Sequence, residues 1–447
     1  MKKNKISVGL IGFGSVGQGV IDYYFQASDP LLDEIDILAI GVKDIRKERN
    51  MPISPSSRHV PILTGDPYEK IVNNPHIDIV IDAVGGNIRA NKESRKYITQ
   101  SLENGKHVVS CNKAVLCDHL VPLTELANRK NVNLRYEAAV CGGIPIIRTL
   151  EEYFAHDEIM KISGIINGTS NYILTQMHQG KTLEEALHEA QSKGFAEADP
   201  TNDVEGIDAL QKLVLLSSLA FHTKINPDDV LREGITQISD KDIFYLQRML
   251  SPPRNEVYAI KLIGMVQKKN DTLDLRLHPT QISSQHPLYG TDGAINAICI
   301  QGRYSGTQVL KGPGAGSRPT AFAVINDIYE IISHLKSGTF RNYSNFNQQY
   351  QIENNPVTSG YIRSISPQNI PGVFESKCGI LRKHGINISY PFNFPKENAQ
   401  GTESLVPDIL CIEPTDERTI QKAIKDLKKS RFVKDYGEVV YIREDPS

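Results

Sequence analysis

The chain has 447 residues, room for about three domains at roughly 150 residues each. Hydrophobic residues make up 40% and charged residues 23%, and 50 basic side chains against 52 acidic ones leave a net charge of −2. That balance excludes a broad nucleic-acid or anionic-membrane footprint. No run of about 18 apolar residues exists to cross a bilayer, and six scattered cysteines with no CxxC pair signal neither a zinc site nor a disulfide framework, so a reducing, cytoplasmic setting is expected.

Lys2, Lys3 and Lys5 precede an apolar stretch, as in an export signal. Gly9, Gly12, Gly14 and Gly17 interrupt that stretch and no small-x-small cleavage site follows, so export is not expected. Residues 6–11 read as a buried strand, 16–24 as the helix after it and 36–42 as a second strand. Residues 77–83 and 107–110 are two more strands with a helix over 91–104 between them. Alternating strands and helices predict a parallel sheet with right-handed crossovers over residues 1–135. Residues 136–335 mix strands (160–166, 256–267, 273–279, 295–300) with helices and predict an α+β domain. One helix spans 182–192: Thr182 and Glu185 form a capping box, and Gly194 follows the end. A second helix is expected over 203–221, buried in its apolar half 213–221. The polar stretch 336–360, with Asn342, Asn345, Asn347 and Asn354, reads as a linker. Over 361–447 the order is strand 361–365, helix 373–383, strands 386–390 and 409–412, helix 417–428 and strand 438–441. That βαββαβ order is ferredoxin-like. The fold class is therefore α/β: a Rossmann-type sheet, an α+β domain and a ferredoxin-like tail.

Gly12-Phe13-Gly14-Ser15-Val16-Gly17 is a G-x-G-x-x-G between the first strand and its helix. The first glycine permits the tight turn, the second a close approach to a pyrophosphate, the third close packing of helix on strand, and the helix N-terminus holds the anion. A dinucleotide is the expected cofactor. After the second strand, Lys43, with Arg46, Lys47 and Arg49 close behind, favours the 2′-phosphate of NADP, and Asp44 keeps NAD open. Cys111-Asn112-Lys113 follows the strand 107–110, which places Lys113 near a cofactor bound beyond the carboxyl ends of the strands. Asp208 and Lys212 are four apart, on one face of a helix. Asp208 would keep Lys212 charged and oriented, while burial would push its pKa down.

Five segments in register resemble the homoserine dehydrogenase family over residues 5–330. They are Cys111-Asn112-Lys113; Tyr136-Glu137-Ala138-Ala139-Val140-Cys141-Gly142-Gly143-Ile144-Pro145; Gly164-Ile165-Ile166-Asn167-Gly168-Thr169-Ser170-Asn171-Tyr172; the stretch from Gly194 through Glu197, Asp199, Asp203 and Asp208 to Lys212; and Gly312-Pro313-Gly314-Ala315-Gly316-Ser317-Arg318-Pro319-Thr320-Ala321. The tail is similar to an ACT domain, an amino-acid-sensing module, through Asn369-Ile370-Pro371-Gly372-Val373 and His384-Gly385-Ile386-Asn387-Ile388.

The resemblance implies an oxidoreductase that interconverts L-aspartate 4-semialdehyde and L-homoserine with NAD(P)H, on the route to threonine, methionine and isoleucine. Hydride reduction of an aldehyde builds negative charge on the carbonyl oxygen, and a lysine aimed there can stabilise it and deliver the proton. Lys212 matches the family's catalytic lysine, Lys113 its second lysine, and Glu197 the carboxylate that holds the substrate ammonium, with Asp208 as second choice. Glu137 and the carbonyls of Val140, Gly142 and Ile144 match a monovalent cation site, usually sodium. The 312–316 segment, through Gly316, returns to the cofactor. Cys111 and Cys141 depart from the family pattern and read as small hydrophobes; were Cys111 to lie near the nicotinamide, its oxidation would inhibit. For the tail the resemblance implies an amino-acid effector, threonine, and for the chain a homodimer or homotetramer.

Overall fold

The computed structural model describes the chain apart from residues 1–4, 28, 47–59, 87, 250–256, 339–344, 368–370, 394–404, 434–438 and 446–447. Lys47, Arg49, Glu256, Asn342, Asn369, Ile370 and Glu438, drawn on above, lie outside the described residues. In chain order the first elements are β1 (Ile6–Ile11), α1 (Ser15–Gln26), β2 (Ile35–Gly41), β3 (Ile62–Leu63), α2 (Pro67–Val72), β4 (Ile79–Asp82), α3 (Ile88–Glu103), β5 (His107–Ser110), α4 (Lys113–Lys130) and β6 (Leu134–Arg135). Next come α5 (Ile146–Arg148), β7 (Ile159–Ile165), α6 (Gly168–His178), α7 (Leu183–Ser192), α8 (Thr201–Val204), α9 (Ile207–Ala220), β8 (Leu231–Arg232) and α10 (Asp240–Met249). Then follow β9 (Tyr258–Lys269), β10 (Thr272–Ser283), β11 (Ile295–Gly302), β12 (Gly306–Pro313), α11 (Ser317–Ser337) and β13 (Gln351–Ile352). The tail holds β14 (Val357–Pro367), α12 (Val373–Lys383), β15 (Ile388–Asn393), β16 (Leu405–Asp416), α13 (Glu417–Lys429) and β17 (Val439–Glu444).

These elements form two compact units, 1–162 with 208–228 and 295–350, and 163–207 with 229–294 and 351–447. The span 136–335 is thus divided between them, and the tail belongs to the second.

The first unit is built on a parallel sheet of order β3-β2-β1-β4-β5-β6. Apolar runs such as Ile79–Asp82 are buried at every position because helices cover both faces. One face packs Val8, Leu10 and Ile40 under α1 and α11, through Val20, Ile21, Val324 and Ile328. The other packs Ile11, Ala39 and Val80 with Tyr68 and Ile71 of α2. Strand order reverses at β1, so the crevice beyond the carboxyl ends of β1 and β4 is the topological switch point. Helix α11, far along the chain, lies against α1. At Gly19 a Cβ would be 2.5 Å from Ser317 Oγ, so only glycine allows that approach.

The second unit carries a mixed sheet. β9 and β10 pair antiparallel along twelve residues each, and β10 pairs parallel with β17. Beyond β17 the strands run β14, β16, β15, all antiparallel. Counted within the tail that order is 4-1-3-2, with α12 and α13 packed over Ile362, Leu410, Ile412, Ile420 and Leu427. The ferredoxin-like reading of the tail thus matches the strand order.

Helix α7 begins as expected: Thr182 Oγ1 accepts from Glu185 N (3.2 Å) and Glu185 Oε2 accepts from Thr182 N (2.9 Å). Gly194 follows at φ +73. Two expectations are corrected. The single helix over 203–221 is two, α8 and α9, because Gly206 at φ +73 turns the chain between them. Within α8, Asp203 Oδ1 accepts from Asn167 Nδ2 at 2.6 Å. The 336–360 stretch is not a bare linker, since α11 runs to Ser337, β13 pairs with β10, and β14 starts at Val357. Helix α4, which periodicity left unassigned, starts at Lys113 under an Asn112 cap.

Candidate active site

The dinucleotide turn forms where the pattern places it. Gly12 takes φ +90, and a Cβ there would lie 2.7 Å from the Ala83 carbonyl. At Gly17 a Cβ would meet the Gly12 carbonyl at 2.5 Å, whereas nothing lies within 4 Å of one at Gly14. Gly14 caps α1 without a side-chain hydrogen bond, so first-turn amides stay available to an anion. The start of α11 adds a second such end. Gly316 caps it, again without a side-chain bond, and Ser317 Oγ donates to the Ser15 carbonyl at 2.7 Å. That bond brings the start of α11, and Gly316 with it, to Ser15 of the dinucleotide turn. Phe13 is buried in the core under the turn. Lys43 follows β2, but its ammonium is paired with Glu93 of α3 and lies 5.3 Å from the Tyr68 ring centre. Asp44 accepts from Arg46 N at 3.0 Å.

Two lysines meet on one carboxylate. Lys212 Nζ is 2.8 Å from Asp208 Oδ2, and Lys113 Nζ is 3.1 Å from Asp208 Oδ1. Lys212 and Asp208 are nearly buried, with 8% and 11% of their side chains exposed, while Lys113 keeps 37%. The i,i+4 pair on α9 was legible in the chain; the second lysine on the same carboxylate was not. Asp208 thus shares its charge between two ammonium groups.

Lys113 follows an asparagine held by a network whose more distant members, Asp82, Ser94 and Asn91, local patterns did not mark. Asn112 Oδ1 accepts from Val115 N (3.2 Å), and its Nδ2 donates to the Val84 carbonyl (3.0 Å) and Asn91 Oδ1 (3.1 Å). Asn112 N donates to Ser110 Oγ at 3.1 Å, and Ser110 Oγ donates to Asp82 Oδ2 at 2.9 Å. Ser94 Oγ donates to the same Asp82 oxygen at 2.7 Å. Burial raises the Asp82 carboxyl to about 6, against those hydrogen bonds. Beyond Asn112 itself, the hint in the chain was an aspartate ending an otherwise apolar strand.

The 137–145 turn sits in the same unit. Glu137 Oε1 and Oε2 accept from Ile147 N and Arg148 N, both at 2.8 Å, and Glu137 N donates to Asp327 Oδ2 at 3.0 Å. Burial lifts the Glu137 carboxyl to about 7, opposed by its bonds to the Arg148 and Ile147 amides. The Ile144 carbonyl accepts from Ile146 N at 2.8 Å. Glu137 and Ile144 each keep a lone pair for a cation, and Val140 and Gly142 stand in the same turn. Cys141 holds φ +54 with Gly142 at +44, which presses the turn on the 312–316 loop: Gly143 N donates to the Pro313 carbonyl at 3.1 Å. Cys141 Sγ accepts from Asn296 Nδ2 at 3.4 Å, and burial raises its thiol pKa. Burial pushes the Cys111 thiol well up too. None of the six cysteines forms a disulfide.

Glu197 lies in the second unit, exposed, between α7 and α8. Its backbone is held: Thr169 Oγ1 donates to the Phe195 carbonyl (2.6 Å) and Gln191 Nε2 to the Glu197 carbonyl (3.2 Å). The Phe195 and Tyr172 ring centres lie 4.9 Å apart, tilted by 56°. Asp199 accepts from Thr201 N and Oγ1, at 3.1 and 2.6 Å, as a turn residue before α8.

Residues 12–137 match the family described as "Homoserine dehydrogenase, NAD binding domain" and residues 145–329 match "Homoserine dehydrogenase". The homoserine dehydrogenase of Bacillus subtilis is 32% identical over 438 residues, 96% of each chain. The chain belongs to the homoserine dehydrogenase family. The crystal structure of a homoserine dehydrogenase from Thiobacillus denitrificans is similar with a TM-score of 0.84 and 31% identity, over 99% of this chain and 98% of that one. A hyperthermophilic archaeal homoserine dehydrogenase in complex with NADPH matches 75% of this chain with all of its own, with a TM-score of 0.61 and 28% identity. In this family member Lys113, Asp208 and Lys212 come together within one unit. Among the described residues no helix is long and apolar enough to cross a membrane, and no group of three His, Cys, Asp or Glu side chains could hold a metal ion.

Proposed function

We propose that the chain interconverts L-aspartate 4-semialdehyde and L-homoserine, in the supply of threonine, methionine and isoleucine. The observation that carries the reading is the convergence of Lys113 and Lys212 on Asp208 in the unit that holds the dinucleotide turn. A bound nicotinamide dinucleotide supplies or accepts the hydride. Lys212 donates the proton to the carbonyl oxygen as negative charge grows there, and takes it back from the hydroxyl in the reverse direction. Asp208 orients Lys212 and keeps it protonated between turnovers. Lys113 adds positive charge beside the reacting carbonyl. Glu197 holds the substrate ammonium.

The amides of Ser15, Val16 and Gly17, with the Gly316 end of α11, take the pyrophosphate. Lys43 exchanges Glu93 for a 2′-phosphate, which favours NADP, as does the NADPH held by the archaeal relative. The Glu137 carboxylate with the carbonyls of Val140, Gly142 and Ile144 suits a monovalent hard cation such as sodium, whose charge would restore a carboxylate that burial lifts to about 7. The division of labour is 1–135 for cofactor, 136–335 for substrate and dimerisation, 336–360 as connection and 361–447 as an ACT-like module for a threonine effector, in a cytoplasmic homodimer or homotetramer.

The test mixes purified protein with L-homoserine and NADP⁺, then NAD⁺, with sodium or potassium present, and follows the absorbance of the reduced nicotinamide. Homoserine-dependent reduction lost in Lys212→Ala supports the reading. No reduction with either cofactor across pH overturns it.

A further inference from the structure

Arg443 on β17 has no exposed surface, and two carboxylates share its guanidinium. Nη1 and Nη2 donate to Glu233 at 2.7 and 2.8 Å; Nε and Nη2 donate to Glu417 at 3.1 and 2.5 Å. Glu417 opens α13 and also accepts from Thr358 Oγ1 at 3.1 Å. Arg443 is thus locked between β10, β14 and α13, all in the second unit. Its bidentate grip on Glu233, whose side chain is 37% exposed, is the one arm that leaves the tail.

Glu233 closes a short passage that begins with β8. Its own N–H donates to the Leu277 carbonyl on β10 at 2.8 Å. The residues either side of it then grip the chain just past α8. Arg232 Nη1 donates to the Glu205 carbonyl, and Ile235 N donates to the Val204 carbonyl at 2.7 Å. At Gly234 a Cβ would lie 2.2 Å from the Val204 carbonyl oxygen and 2.6 Å from Glu205 Cα. The two backbones therefore touch, with no room for a methyl group. Val204 ends the acidic segment that carries Glu197, and the opposite end of that segment is pinned through the Phe195 and Glu197 carbonyls. A carboxylate on a surface loop has a defined reach only when its backbone is held at both ends, and about 1 Å of misplacement can cost on the order of a hundredfold.

We propose that residues 231–235 form a strap, tied to the tail by Arg443, that holds the 197–206 segment in place for substrate, with Glu233 and Gly234 as positioning residues. The proposal rests on Glu197 as the ligand of the substrate ammonium. An ammonium contact is made in ground and transition states alike, so displacing it raises KM for L-homoserine more than it lowers kcat.

The experiment is steady-state oxidation of L-homoserine by the full chain. Gly234→Ala displaces the 204–205 backbone, and Glu233→Gln removes the half-exposed anion while keeping its shape. Each is expected to raise KM for homoserine about fivefold or more, with KM for the nicotinamide nucleotide within about twofold, and Glu233→Asp should recover part of the loss. Glu197→Gln is measured alongside, and in the Glu197→Gln/Glu233→Gln double variant the second change should add less than about twofold, because the group it positions is gone. If Glu197→Gln raises KM while Gly234→Ala and Glu233→Gln do not, the strap is overturned and the substrate assignment stands. If both KM values rise together, or the double variant is additive, the role is general support and the proposal falls. If Glu197→Gln leaves KM unchanged, the substrate assignment is what has failed, and the strap's stated purpose fails with it.

Discussion

Two glycines of one turn should respond in opposite ways to the same added methyl group. At Gly17 the new Cβ would lie 2.5 Å from the Gly12 carbonyl oxygen, where ordinary contact begins at 3.4 Å. An overlap of nearly 1 Å with backbone cannot be relieved by rotating a side chain, and overpacking of this kind costs about 1–3 kcal/mol. Each kcal/mol lowers Tm by roughly 2–4 °C in a unit of this size. At Gly14 nothing lies within 4 Å and the backbone is extended at φ −82 and ψ −160, so alanine fits the free protein. Its stability should stay within about 0.5 kcal/mol of the parent. The methyl of Gly14→Ala would instead occupy the space over the first turn of α1 where a pyrophosphate is expected. KM for the nucleotide should then rise about tenfold or more, equivalent to about 1.4 kcal/mol. The assays are thermal unfolding of the ligand-free chain and nucleotide KM at saturating homoserine. An unchanged nucleotide KM in Gly14→Ala would refute the placement of the pyrophosphate. An unchanged Tm in Gly17→Ala would refute the packing argument.

Lys212→Ala should lower kcat by about 10²–10⁴ while Asp208 stays paired with Lys113 and the fold persists; a loss under about tenfold removes Lys212 as proton donor. Asp82 titrates near 6 when folded against an ordinary 3.8, so between those values the folded chain holds a proton the unfolded chain has released, and stability falls as pH rises through the window. About two pH units at about 1.4 kcal/mol each bound the effect near 3 kcal/mol, and the advantage of Asp82→Asn over the parent in urea unfolding should grow from pH 4 to pH 6 and then level; a flat difference contradicts the burial argument. Cys141 is 1% exposed and burial raises both its thiol and that of Cys111, so iodoacetamide near neutral pH should leave both unmodified by mass spectrometry. Labelling of either thiol in the folded chain would restore an oxidation-sensitive role.

Much of the fold was legible because it is written in local signals. The G-x-G-x-x-G turn, the Thr182–Glu185 box and the βαββαβ order of the tail each rest on neighbours in the chain, and each formed where expected. The helix expected over 203–221 broke because apolar periodicity carries across Gly206, while the positive φ that ends α8 is a single-residue event that periodicity averages away.

The candidate site divides the same way. The chain alone determined which residue types are available: a phosphate turn, the Asp208–Lys212 spacing, an asparagine and lysine after a buried strand, and a carboxylate in an acidic loop. Only tertiary structure brought Lys113 to Asp208, set α11 against α1 so that Gly316 stands beside Ser15, and inserted β17 between β10 and β14 so that Arg443 reaches Glu233. Periodicity and capping are properties of a few consecutive residues and survive in one dimension. Ion pairing and backbone contact between distant segments depend on how whole elements bury their apolar faces, and that is settled only when the sheet and its helices pack.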